Sequence, residues 1–144
     1  GVISAYIHSN QKIGVLVELL CETDFVARSP EFQKLAHEIA LQVAATNPRW
    51  ISKDDVPSDI VEARIKNIRE TLELSRDRKE GSKRGLKNEE KIIQNKLEQF
   101  FRESCLLEQP YIRDEKILIS DLIKEKIALF KENIKIGRFI RFAI

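Results

Sequence analysis

The chain opens on a pattern of period two. Val2-Ile3-Ser4-Ala5-Tyr6-Ile7-His8 is rich in β-branched and aromatic residues, which suit a pleated surface. Ser9-Asn10-Gln11-Lys12 has turn chemistry, and Ile13, Val15, Val17 and Leu19 then alternate with Gly14, Leu16, Glu18 and Leu20. The pattern predicts a β-hairpin whose second strand has one fully apolar face and one half-apolar face. A strand apolar on both sides needs cover on both sides. Helices of the same chain are expected on one side and a second subunit on the other.

Beyond residue 28 the spacing becomes helical. Ser29-Pro30-Glu31 is a helix start: Ser caps free N–H groups, Pro fits the first turn and Glu suits the positive end of the dipole. Phe32, Leu35, Ala36, Ile39, Ala40 and Val43 then share one face, and Asn47-Pro48 ends the run. Trp50-Ile51 reads as a short extended piece. After Val56-Pro57-Ser58, Val61, Ile65, Ile68 and Leu72 are spaced 4, 3 and 4, a heptad-like seam. Residues 75–85 contain no apolar side chain and read as an exposed link. Asn88 is the expected cap of a further helix with the seam Ile93, Leu97 and Phe100. The two seams are too short to stand alone, and they predict an antiparallel helical hairpin over about residues 58–104. Gln109-Pro110 breaks the chain. Ser120-Asp121 starts a fourth helix carrying Leu122, Ile123, Ile127 and Phe130, and residues 133–144 read as a strand that returns to the hairpin. The expected class is α+β: a small antiparallel three-stranded sheet packed on helices, with the helical hairpin inserted before the last strand. No internal repeat is visible.

Composition narrows the function classes. A length of 144 residues with 42% hydrophobic positions suits one compact domain, residues 1–144. Lys and Arg number 25 against 23 Asp and Glu, a net charge of +2; a nucleic-acid binder would show a clearer basic excess. The two cysteines, Cys21 and Cys105, form no disulfide framework or zinc pattern and are read as reduced thiols in a cytosol-like compartment. No apolar run approaches a membrane span. The chain begins at Gly1 without a signal peptide and contains no Met, so it is expected to be an excerpt or a processed product.

Catalytic patterns are missing. His8 and His37 have no partner at metal-ligand spacing, no serine sits in a nucleophile elbow and no glycine-rich phosphate loop occurs. Asp54-Asp55 and Glu89-Glu90 are read as solvated. The link from Arg76 to Lys91 holds seven Lys or Arg against four acids, but no aromatic offers bases a stacking platform. No catalytic residue, cofactor or metal is therefore expected, and neither a membrane nor a direct nucleic-acid partner. Cys21-Glu22-Thr23-Asp24-Phe25-Val26-Ala27-Arg28 is different. It joins a strand to a capped helix, where functional loops sit. Its Phe25 has two uses: to tuck back as a lid on its own core, or to protrude as an anchor for a partner's pocket. Residue composition alone leans to the lid.

Several segments together resemble one family. They are residues 1–8 and 13–18, the stretch Cys21-Glu22-Thr23-Asp24-Phe25-Val26-Ala27-Arg28, the helix Leu35-Ala36-His37-Glu38-Ile39-Ala40-Leu41-Gln42-Val43-Ala44-Ala45, Asp54-Asp55-Val56-Pro57, Cys105-Leu106-Leu107-Glu108-Gln109-Pro110, Glu132-Asn133-Ile134 and Arg138-Phe139-Ile140-Arg141-Phe142. In this order they are similar to elongation factor Ts, the guanine-nucleotide exchange factor for elongation factor Tu. The resemblance implies that Thr23, Asp24, Phe25 and Val26 contact elongation factor Tu, in its GDP and nucleotide-free forms. Asp24 and Phe25 would be the working pair and Thr23 and Val26 would shape the loop, so that the magnesium and phosphate site is disturbed and GDP leaves. It also implies no covalent chemistry, a homodimer through the sheet, and a cytoplasmic, plastid-stromal or mitochondrial-matrix setting. The family's usual N-terminal helical domain has no counterpart in residues 1–144 and is expected to be absent. Departures fall at residues 80–85, at Asn95 where Gly is common, and at Lys131 and Gly137, where Gly and Arg are expected. The alternative from another class is an RNA- or ribosome-associated structural homolog without exchange activity.

Overall fold

The computed structural model describes residues 1–76 and 84–144. Val2–Ile7 (β1) and Ile13–Leu20 (β2) pair antiparallel across the expected turn, which His8 N–H closes on the Ile13 carbonyl at 2.9 Å. The last strand, Lys135–Ala143, lies antiparallel on the other side of β2 and makes it central, in the order β1, β2, last strand. Its register slips between Val17 and Leu19. Such a bulge sharpens the local twist.

Asp24–Ala27 forms a single helical turn (α1), described below, and Pro30–Thr46 is the long helix α2. The Ser29 hydroxyl accepts from Phe32 N–H at 3.3 Å, so the cap expected from Ser-Pro-Glu is in place. Phe32, Leu35, Ala36, Ile39, Ala40 and Val43 are buried, and with Val15, Val17 and Leu19 they form the interface between α2 and the inner face of the sheet. Asn47 ends the helix in the left-handed region, φ 48°, with its N–H on the Val43 carbonyl at 3.0 Å. Asn takes this conformation at lower cost than most residues.

Ser58–Arg76 (α3) and Arg84–Ser104 (α4) form the helical hairpin. Ile68, Ile93, Leu97 and Phe100 are buried along the expected seam. Asn88 does not cap α4: the helix already runs from Arg84, and Asn88 is an exposed position within it. A solvent-facing Asn tolerates helical geometry, so its capping preference yields to the amphipathic pattern around it. The expected basic link between the helices, including the departure at residues 80–85, falls mainly at residues 77–83, outside the described residues. At the hairpin's base the Trp50 ring stands edge-on to Phe100, 6.2 Å between centroids. The extended piece expected at Trp50-Ile51 exists: Trp50 bridges Cys105, and Leu106 and Leu107 N–H reach the carbonyls of Trp50 and Ile51, both at 2.9 Å.

Between α4 and the fourth long helix lies an element that the sequence pattern does not predict. Pro110–Tyr111 (β3) and Asp114–Leu118 (β4) form a small antiparallel hairpin. Residues 112–116 are Ile-Arg-Asp-Glu-Lys and show no alternation; their conformation is imposed from α2. The Gln42 side-chain oxygen, Oε1, accepts from Ile112 N–H at 2.9 Å, and buried Glu38 accepts from the Tyr111 hydroxyl at 3.0 Å and pairs with the Arg113 guanidinium. Glu38 and Gln42 are four residues apart, one turn along the same face. The fourth long helix, Ile119–Phe130 (α5), begins where the Asp121 carboxylate accepts from Leu118 N–H at 3.1 Å, and it buries Ile119, Leu122 and Ile123. Lys131 ends it at φ 56°, and Lys135–Ala143 (β5) follows. Among the described residues no helix is long and apolar enough to cross a membrane.

Candidate partner-binding site

Residues 21–28 fold as a helical turn, not as an irregular loop. Thr23 is extended, φ −123° and ψ 152°, and its hydroxyl oxygen accepts from Val26 N–H at 3.3 Å. Ala27 N–H and Arg28 N–H then reach the carbonyls of Thr23 and Asp24 at 3.2 and 3.0 Å. Thr is a good N-cap because its short side chain satisfies an N–H that a first turn leaves free. Ser29 closes the other end, its hydroxyl donating to the Val26 carbonyl at 2.7 Å while also capping α2. One residue thus ends α1 and begins α2, leaving the turn little freedom.

Successive helical residues point about 100° apart, so the burial of Val26 and Ala27 decides where the others face. Both are buried, Val26 within the main core. Thr23, Asp24 and Phe25 are exposed, and Phe25 presents 87% of its surface to solvent. The lid favoured by composition is therefore not what the chain forms; the phenyl ring points away from its own core.

A residue absent from the sequence-derived candidates holds the turn from behind. The Thr23 hydroxyl donates to Glu132 Oε2 at 2.6 Å, and the N–H groups of Thr23 and Glu22 donate to Glu132 Oε1 at 3.0 and 3.1 Å. In return, Glu22 Oε2 accepts from Asn133 N–H at 3.0 Å. The Thr23 hydroxyl bond, with the two N–H bonds behind it, holds the Glu132 carboxyl below its ordinary range against an opposing desolvation effect. Glu132 lies 109 residues from Thr23. Its one signal in the sequence was the family-like segment Glu132-Asn133-Ile134.

The remaining candidates stay apart. The Tyr6 hydroxyl lies 2.9 Å from His8 Nδ1, and the His37 ring stands edge-on to Tyr6 at 6.3 Å. The Cys21 thiol reaches the Thr23 carbonyl at 3.3 Å, whereas Cys105 is fully buried and burial pushes its thiol up to about 11. Among the described residues no cluster of His, Cys, Asp and Glu could hold a metal. What the turn offers is an aromatic and a carboxylate side by side on a braced base, the chemistry of a protein-contact anchor. A second surface is the outer sheet face, where Ile3, Ile7, Leu16, Ile140 and Phe142 are exposed beside the Glu18–Arg138 ion pair, 2.7 Å long.

Residues 1–144 match the family model described as elongation factor TS. The chain is 48% identical over 144 residues to the elongation factor Ts of Methylacidiphilum infernorum, covering all of this chain and 67% of that protein. It is 49% identical to that of Thermosipho melanesiensis, covering all of this chain and 70% of the relative. For the protein of Coprothermobacter proteolyticus the identity is 46%, again with 70% of the relative covered.

Proposed function

Because the chain belongs to the elongation factor Ts family, we propose that it serves translation elongation as a guanine-nucleotide exchange factor for elongation factor Tu, with Asp24 and Phe25 as the pair that enters the partner. The observation that carries this reading is the exposure of Phe25 on a turn braced from both ends. An unbraced exposed aromatic would lose rotamer and backbone freedom on binding; here the backbone part of that loss is already met in the free chain. Burying a Phe side chain contributes about 1.5–3 kcal/mol. Each ~1.4 kcal/mol is a factor of ten, so Phe25 accounts for one to two decades of faster GDP release. Larger effects must come from Asp24 and from disturbance of the magnesium and phosphate site in elongation factor Tu. The coupling is reciprocal: a chain that weakens GDP binding is itself weakened by GDP to the same degree. The reaction involves no covalent step, so the chain acts as a binding factor and not as an enzyme.

In the same reading residues 1–144 are one core unit, acting in the cytoplasm or in an organelle with its own translation. Its outer sheet face pairs with a second copy; the exposed apolar side chains there support an isologous dimer. The test of function is release of a fluorescent GDP analogue from elongation factor Tu, with the parent chain and with Phe25→Ala. Acceleration by the parent that falls by about ten- to a hundredfold in the variant supports the reading. No acceleration by a folded parent chain overturns it.

A further inference from the structure

We propose that Glu132 is a positioning residue for the exchange contact: its carboxylate, reaching from the α5–β5 junction, sets the orientation in which Asp24 and Phe25 meet the partner. This rests on the reading of α1 as that contact.

Glu132 touches neither Asp24 nor Phe25 through any bond described above; it acts through Thr23. The Thr23 hydroxyl has one proton and two lone pairs. Donating that proton to Glu132 Oε2 turns a lone pair toward Val26 N–H, the bond that caps α1. The carboxylate therefore decides how the cap hydroxyl is oriented. The two N–H bonds to Glu132 Oε1 fix the backbone immediately before the cap. All three bonds are made to an ionised acceptor and are stronger than neutral ones. A four-residue helix has almost no stability of its own, so its direction is inherited from such attachments. The attachment point is itself held. Phe130 stands edge-on to the buried Phe32, 6.3 Å between centroids, and Lys131 turns the chain at φ 56° so that Glu132 faces back to the turn. Glu22 completes the latch by accepting from Asn133 N–H. Two junctions distant in sequence are thus stitched in both directions, and the aromatic that meets the partner stands on the stitch.

A merely structural Glu132 would alter stability; a positioning Glu132 alters exchange through Phe25. The experiment compares the parent chain, Glu132→Ala, Glu132→Gln, Phe25→Ala and the double variant Glu132→Ala/Phe25→Ala. It measures analogue-GDP release from elongation factor Tu, thermal unfolding, and amide hydrogen exchange at residues 22 and 23. The expected results are an exchange deficit of about tenfold for Glu132→Ala, partial rescue by Glu132→Gln, which keeps an oxygen for the two N–H groups, and faster amide exchange at Glu22 and Thr23. In the Phe25→Ala background the deficit from Glu132→Ala shrinks to less than about threefold, because only Asp24 of the two positioned groups remains to be misplaced. If Glu132→Ala loses its fold, Glu132→Gln carries the same comparison with a deficit of about threefold. Unchanged release, unchanged amide protection or losses that simply multiply in the double variant would each overturn the positioning role. Failure of the parent chain to accelerate release at all is a different result, and it would remove the functional reading on which this role stands.

Discussion

Phe25 is exposed and Val26, its neighbour, is buried, so single substitutions in this turn separate function from stability. Phe25→Ala removes no packing and is expected to leave the unfolding free energy within about 0.5 kcal/mol of the parent in urea titration, while exchange falls as described. Lys131 is the converse case. It holds φ 56°, where a side chain costs about 1–2 kcal/mol and Gly has no Cβ to clash. Lys131→Gly relieves that strain but loosens the unfolded chain by about 0.5–1 kcal/mol. A net gain of about 0.5–1 kcal/mol is expected in the same titration. The thiols separate by burial. Cys105 stays protonated to about 11 from an ordinary value of 9.0, so Cys21 is expected to alkylate first in native protein at pH 8, read by peptide mass. Above pH 9 the unfolded Cys105 ionises while the folded one holds its proton. Its contribution is therefore complete below about pH 9 and is lost as pH rises toward 11. The family resemblance singles out Thr23 to Val26, but the sequence does not say which of them face outward. That depended on which side of one helical turn the core would accept.

At the scale of elements, the long amphipathic segments were legible and the polar hairpin was not. α2 buries its whole apolar stripe, and the α3–α4 seam is buried at Ile68, Ile93, Leu97 and Phe100 and half-buried at Val61, Ile65 and Leu72. β3 and β4 have no such pattern, because their conformation answers hydrogen bonds from Glu38 and Gln42, about seventy residues away. Gln42 is fully buried, donates to the Gln109 side chain and the Pro110 carbonyl at 3.1 Å each, and accepts from Ile112 N–H. Gln42→Leu keeps the volume but removes the bonds that Gln42 makes to Ile112 N–H, the Pro110 carbonyl and the Gln109 side chain. A loss of about 2–4 kcal/mol is expected in denaturant unfolding, with the amide of Ile112 losing protection from hydrogen exchange.

The whole molecule turns on the central strand β2. Its inner face, Val15, Val17 and Leu19, is closed by α2, whereas Leu16 on the outer face is exposed, with Ile3 and Ile7 on β1 and Ile140 and Phe142 on β5 around it. The expectation of cover on both sides is therefore met on one side within this chain, and the proposed dimer supplies the other. Ile3→Lys puts a charge on that outer face without touching the inner core. It is expected to shift sedimentation from dimer to monomer at micromolar concentration with little change in unfolding. A parent chain that sediments as a monomer would remove the dimer from the account. Reach between the ends of the chain also belongs to this scale: β5 closes the sheet, and the turn just before it carries Glu132 to Thr23.

What the sequence determined by itself is whatever repeats along the chain. Periods of 2 and 3.6 laid out the strands and long helices, Ser29 and Asn47 bounded α2, and a family-like run of residues singled out the candidate turn at residues 23–26. What only the tertiary structure decided is whatever depends on a partner far away in sequence. The outward direction of Phe25, the clamp of Glu132 on Thr23, the β3–β4 hairpin under Glu38 and Gln42, and the bare outer face of the sheet are of this kind. Spacing records which residues share a surface of one element. It cannot record which element will lie against that surface, and a single turn such as α1, or a polar stretch such as residues 112–116, takes its conformation from that neighbour.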